Sequence, residues 1–326
     1  MKRIILSFFL PLIVLENSFA GGDFIENIFP EAFSSPTGIK VHSKTIGGVD
    51  GYAIEKFSEE EKNRNHGDSR NGEKVQFLVM HYTVSDFPTT LDLFTKNIDS
   101  GRVSAHYVIT QAEKKHKVTG GIPVQVIPEE KRSWHAGISG WRKTKNLNAT
   151  SIGIENVNSG FTKEESTQNL TWFSFDSNQI NTLGKLSQDI IKKYEILAPN
   201  VIGHADIAPT RKQDPGILFP WGKLYKDYNV GAWLSDEEMT SEYISTKYVP
   251  REKLPQGVST PFFLTSLQNY GYEMSDTASL TPENEEIVKA FKAHFSHNQN
   301  PEGYSALIDP DAMFWAWALG AKYKQQ

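Results

Sequence analysis

Two histidines stand where short apolar runs end. His81 closes the run VQFLVMHY (Val75 to Tyr82), and His204 follows Val201-Ile202 in GHADIAP. Side chains at strand ends are held by a sheet yet face a cleft, which is how a rigid scaffold presents a ligand. Ten residues after His204 comes Asp214 in RKQDPG, its turn shaped by Pro215 and Gly216. Two imidazoles and one carboxylate can hold zinc and leave a fourth tetrahedral position for water, the pattern of a catalytic site. Each residue alone also has an ordinary use, since a strand-end His is often a hydrogen-bonded structural residue. Asp206 is a competing carboxylate. Two residues from His204 it would crowd the same loop, so it is read as an acceptor that braces the loop.

These residues need a scaffold, and the sequence predicts a mixed α/β domain with a central mixed β-sheet flanked by helices, followed by a small C-terminal three-helix bundle. Short β-forming runs at Val75 to Tyr82, Tyr107 to Ile109, Val124 to Ile127, Ser151 to Asn156 and Val201-Ile202 read as strands. Thr89 to Ile98 has helical spacing. Ser177 to Tyr194 is the clearest helix, with Ile180, Leu183, Leu186, Ile190 and Ile191 on one stripe and Ser177 able to cap it. The strand and helix alternation covers residues 74–235. Ahead of it, residues 21–73 form a loop-rich lead-in with one hairpin near Val41 to Ile54. Behind it, residues 236–260 carry Pro250, Pro255 and Gly257 and suit a linker. Helices are then expected at Phe262 to Tyr270, Thr281 to Phe295 and Asp309 to Tyr323, with Phe291, Phe295, Trp315 and Trp317 mostly in their core.

Composition removes several function classes. A net charge of -5, with no long Lys/Arg run, excludes a nucleic-acid binder. An apolar fraction of 38% fills a real core. Lys2 and Arg3, the apolar stretch Ile4 to Leu15 and Ser18-Phe19-Ala20 have the order of a secretory signal over residues 1–20, too short to span a bilayer comfortably. The expected product is exported, periplasmic or secreted, monomeric, and without a transmembrane segment once the signal is removed. With no Cys there is neither a disulfide nor a lipoprotein anchor, and a metal must sit on His and carboxylate.

Five segments occur in order: HYT at His81 to Thr83, SAHY at Ser104 to Tyr107, WHAG at Trp134 to Gly137, SIGIE at Ser151 to Glu155, and GHADIAPTRKQDPG at Gly203 to Gly216. Together they resemble the zinc N-acetylmuramoyl-L-alanine amidases of the type-2 family, which includes the peptidoglycan recognition proteins. Within it the chain is most similar to periplasmic amidases acting on both intact and anhydro-muramyl substrates. LTSLQNYGYEM and VKAFKAHF, in residues 261–326, resemble the peptidoglycan-binding helical domain often fused to these enzymes.

The resemblance implies that His81, His204 and Asp214 ligate zinc, that Glu155 is the catalytic glutamate and that Lys212 is the catalytic lysine. Its substrate class would be peptidoglycan or its muropeptides, cut at the amide between N-acetylmuramic acid and L-alanine. The chemistry of the residues agrees. Hydrolysing an unactivated amide needs a strong nucleophile, and zinc lowers the pKa of a coordinated water to about 7. A carboxylate such as Glu155 can take a proton and return it to the leaving amine, and Lys212 can compensate the oxyanion. Without the resemblance, Glu155 and Lys212 would read as solvated charges. His135, in a loop that lines the cleft in the family, Arg142, Asn156 and Asn158 are candidates for binding sugar or stem-peptide carboxylates. His106 is given a structural role behind the site. His42, His66, His116, His294 and His297 are left as surface residues. A non-catalytic peptidoglycan receptor on the same fold is the alternative, and a zinc peptidase finds no HExxH motif to support it.

Overall fold

Apolar residues on both faces of the strands demand cover on both sides, and the fold follows from how that cover is supplied. The structure is a computed structural model that describes residues 31–43, 69–95, 103–116, 118–165, 169–295 and 304–324. The expected signal segment, His66 and His297 lie outside the described residues, as does the stretch 44–54 where most of the expected hairpin falls.

The central sheet has seven strands. They are β1 (Glu31–Ser34), β2 (Lys40–Ser43), β3 (Phe77–Tyr82), β4 (Tyr107–Ile109), β5 (Pro123–Gln125), β8 (Ser151–Asn156) and β11 (Val201–Gly203), in the order β1-β2-β5-β4-β8-β3-β11. Parallel pairing of β4, β8, β3 and β11 forms the heart of the sheet, and antiparallel β4–β5 and β1–β2 pairs make it mixed. Thus the lead-in contributes two strands to the sheet, with β2 parallel to β5. Two short ribbons, β6 (Gly140–Trp141) with β7 (Thr144–Lys145) and β9 (Phe161–Lys163) with β10 (Leu170–Trp172), stand apart from it.

Eight helices are assigned among the described residues: α1 (Phe87–Thr95), α2 (Ser177–Tyr194), α3 (His204–Ile207), α4 (Trp221–Tyr228), α5 (Ser241–Tyr248), α6 (Thr260–Tyr270), α7 (Pro282–Phe295) and α8 (Pro310–Lys322). The bounds of α2 match its apolar stripe, but its cap is Asp176, whose carboxylate accepts from the Gln179 N–H at 2.7 Å; Ser177 is the first helical residue. An aspartate one position earlier has the extended backbone that a cap requires.

Strand alternation divides the core. Leu78, Met80, Ile152 and Ile154 point to one face, where Ile180, Leu183, Leu186 and Ile190 of α2 and Leu224 of α4 cover them. Phe77 and Val79 point to the other, and with Ile202 they share a single cluster with Phe263 and Leu267 of α6, Phe291 of α7 and Trp315 of α8. The C-terminal helices are therefore the second layer over this half of the sheet. Their aromatic residues are core, as expected from their spacing. The stretch expected as a linker carries α5, whose Ile244 is buried in the same cluster.

Gly184 lies inside α2, where glycine ordinarily costs a helix about 1 kcal/mol relative to alanine. Here a Cβ would stand 2.4 Å from the Tyr228 ring of α4. Gly184→Ala is therefore expected to destabilise the protein, by about 1–3 kcal/mol. A denaturant titration showing that it stabilises instead would contradict this packing.

Candidate metal centre

In parallel strands, side chains at paired positions share a face, and His81 of β3 is paired with Glu155 of β8. That face also takes Ser151 and Gly153 of β8 by alternation, so the SIGIE motif divides into two buried isoleucines and three residues turned toward the site. β11 delivers His204 at the first position of the one-turn helix α3, directly after Gly203. The chain returns after α3 so that the Asp214 carbonyl accepts from the Ala205 N–H at 2.8 Å. A Cβ on Gly203 would meet the Pro215 ring at 2.7 Å, so the first Gly of the motif and the Pro after Asp214 are two sides of one contact.

His81, His204 and Asp214 converge. His81 Nδ1 lies 3.0 Å from His204 Nδ1 and 2.8 Å from Asp214 Oδ2, and His204 Nδ1 lies 3.1 Å from the same oxygen. All three residues are buried.

The surrounding hydrogen bonds decide where the imidazole protons are. His204 Nε2 faces the Ala136 carbonyl at 3.2 Å, which can only accept, so that nitrogen holds the proton and Nδ1 is a bare lone pair. For His81 the logic runs through three residues. The Ser151 hydroxyl donates to the Leu147 carbonyl at 2.6 Å and so accepts from His135 Nε2 at 3.0 Å. His135 Nδ1 is then an acceptor for His81 Nε2 at 2.9 Å, and His81 Nδ1 is bare as well. Burial, and then the neighbouring His204, lowers the His81 pKa to about 4, which keeps the ring neutral at pH 7. Two nitrogen lone pairs and a carboxylate oxygen, pressed together with no proton to share, repel one another unless a cation lies between them. The donor set therefore fits a divalent metal with affinity for imidazole, and these three residues could hold one.

Glu155 stands beside this triangle with Oε2 buried and unpartnered. Burial and then Asp214 raise its pKa to about 8, while Lys212 acts in the opposite direction. Lys212 is half-buried, and its charge reaches both Glu155 and His81.

The four residues expected to bind substrate have other work in the structure. His135 is buried and spends both ring nitrogens on His81 and Ser151. Gly153 makes room for it, since a Cβ there would lie 2.5 Å from the ring. Asn156 is fully buried and donates to the His81 carbonyl at 3.0 Å. Asn158 is buried too, donating to the Ser174 carbonyl and accepting from the Gly160 N–H. Arg142 lies at a cavity of about 710 Å³ between the β6–β7 turn and helices α6 and α8. Its guanidinium donates to the Tyr270 and Tyr323 carbonyls, where α6 and α8 end, and so satisfies helix C-termini. His106, as expected, is structural: it accepts from the Gly153 N–H at 3.0 Å and bonds Ser133. Two histidines assigned to the surface are buried instead, His42 in β2 and His294 in α7. Their burial depends on which elements pack together, and no local pattern carries that information.

Comparison with known proteins follows the same lines. A family profile described as N-acetylmuramoyl-L-alanine amidase matches residues 71–217. The chain is 37% identical over 254 residues to N-acetylmuramoyl-L-alanine amidase AmiD of Escherichia coli (strain K12), covering 77% of this chain and 84% of that protein. It is 37% identical over 176 residues to 1,6-anhydro-N-acetylmuramyl-L-alanine amidase AmpD of the same strain, covering 49% of this chain and 86% of that protein. Among solved structures, the E. coli AmiD complex with the substrate anhydro-N-acetylmuramic acid-L-Ala-D-gamma-Glu-L-Lys matches with a TM-score of 0.63 and 35% identity, over 77% of this chain and 91% of that one. Pseudomonas aeruginosa AmpDh3 in complex with anhydromuramic pentapeptide matches with a TM-score of 0.63 and 34% identity, over 79% and 94%.

Glu155 yields a pH prediction for the metal-free protein. Its pKa rises from the ordinary 4.5 to about 8 in the folded state. Between those values the folded protein retains a proton that the unfolded chain releases, so this residue's contribution makes stability fall as pH rises. In chelator-treated protein Glu155→Gln should gain on wild type in thermal midpoint across this window. Parallel pH profiles for the two proteins would count against the burial described.

Proposed function

The chain belongs to the N-acetylmuramoyl-L-alanine amidase family and is an enzyme of that class, and we propose that it uses zinc on His81, His204 and Asp214 to release stem peptides from peptidoglycan. The bond cut would be the amide between N-acetylmuramic acid, intact or in the 1,6-anhydro form, and L-alanine. The observation that carries this reading is the triangle of bare ligand atoms beside the unpartnered carboxylate oxygen of Glu155. The AmiD and AmpDh3 structures with anhydromuramyl peptides support the substrate class.

A zinc ion in this triangle would supply Lewis-acid polarisation and a nucleophile at neutral pH. The protein's own residues do the rest. The Ser151–His135 chain fixes the His81 tautomer and keeps its Nδ1 available as a ligand. Glu155, a carboxylate held beside the triangle with one oxygen unpartnered, takes a proton from the attacking water and delivers it to the alanine nitrogen as the amide breaks. Lys212 offsets negative charge as the carbonyl oxygen becomes an oxyanion. Export of the chain, from the order of residues Lys2 to Ala20, and peptidoglycan binding by residues 261–326 complete the proposal. No helix among the described residues is long and apolar enough to cross a membrane.

Zinc-loaded protein incubated with purified muropeptides is expected to release free stem peptide, identified by mass spectrometry. Glu155→Gln and Lys212→Met should each lower turnover by about 100-fold or more with zinc content unchanged. His204→Ala should lose the metal itself. Cleavage within the stem peptide would refute the reading, and binding without any release would favour a receptor.

A further inference from the structure

Asp206 is a buried carboxylate two residues beyond His204, and its partners come from distant parts of the chain. Oδ2 accepts from the Gly203 N–H at 2.7 Å, which closes the start of α3. The same oxygen accepts from His294 Nδ1 of α7 at 2.7 Å, and Oδ1 accepts from the Tyr272 hydroxyl just after α6. His294 is itself buried, stacked against the Trp221 ring with centroids 3.8 Å apart and packed beside Phe295. All three donors thus converge on one side chain, and two of them belong to the C-terminal helical region.

What Asp206 holds is small. Helix α3 is four residues long, and a single turn has little stability of its own because helix nucleation is unfavourable. Yet this turn carries His204 at its first position and, through the Ala205 N–H, the backbone of Asp214. Two of the three ligand atoms therefore depend on one short turn. Removing the His294 donor would leave Asp206 with a buried, under-satisfied oxygen, and the cheapest relief is for the turn to shift toward water.

We infer that His294, acting through Asp206 with Tyr272, is a positioning residue for the metal-ligating turn. The C-terminal helices then complete the metal centre in addition to any contact they make with the cell wall. The inference rests on His204 as a metal ligand.

The test measures zinc affinity by chelator competition, and the absorption of the cobalt-substituted protein, on the full chain. His294→Phe preserves the aromatic stack and removes the donor; it should weaken zinc binding by about 10–100-fold and alter the cobalt spectrum. His294→Asn, whose amide nitrogen can take the place of Nδ1, should restore most of that affinity. Leu319→Ala, in the core of α8 and giving no hydrogen bond to Asp206, should lower the thermal midpoint while leaving zinc affinity unchanged. Zinc binding by His294→Phe equal to wild type, or an equal loss in Leu319→Ala, would overturn the inference. A wild type that binds no zinc, or His204→Ala that binds it normally, would overturn the metal assignment instead.

Discussion

Three lone pairs held against each other in a buried cleft are the constraint on which this molecule is organised. His81 Nδ1, His204 Nδ1 and Asp214 Oδ2 lie within 3.1 Å of one another. An arrangement so unfavourable without a cation has to be imposed by its surroundings, and each surrounding element imposes part of it. The sheet spaces His81 and Glu155 on adjacent strands. The carbonyls of Ala136 and Leu147, the latter through Ser151 and His135, hold protons on the far sides of the rings. The contact of Pro215 with Gly203 sets the return of the chain that brings Asp214 in.

Each residue of the motifs has a separate task in this arrangement. In SIGIE the serine anchors the proton chain, the glycine gives the His135 ring its space, and the glutamate faces the ligands, while the isoleucines belong to the core on the opposite face. In GHADIAP the glycine accommodates a proline, the histidine turns Nδ1 toward His81 and Asp214, and the aspartate closes the turn. The motifs are thus short because their partners are provided by tertiary structure. The same holds for the C-terminal helices, which share one hydrophobic cluster with Phe77, Val79 and Ile202 and reach Asp206 through His294.

Hydrogen-bonding cations tie the parts together, because a carbonyl or carboxylate that loses water on folding must find a donor. Arg142 satisfies the ends of α6 and α8, Lys324 donates to the Tyr248 and Val249 carbonyls at the end of α5, and Lys322 pairs with Glu238. These cations hold the C-terminal helices to one another and to the β6–β7 turn. A stretch with the composition of a linker becomes part of the fold for the same reason: Ile244 of α5 is apolar, and burying it against the α6 to α8 cluster is favourable.

The sequence by itself determined the class of fold, the bounds of α2 and β8, the three C-terminal helices and the convergence of His81, His204 and Asp214. It could do so because helical stripes, strand runs and ordered motifs are local or nearly local records of a periodic backbone. It also identified Asp206 as an acceptor bracing its own loop, which the Gly203 contact bears out. Only the tertiary structure decided that His135, Arg142, Asn156 and Asn158 spend their hydrogen bonds inside the protein, that His294 is buried on Asp206, and that the lead-in adds strands to the sheet. A polar side chain in a sequence looks the same whether it faces substrate, water or another helix. Its partner is chosen by packing between segments far apart in the chain, and His294 and Asp206 are separated by 88 residues.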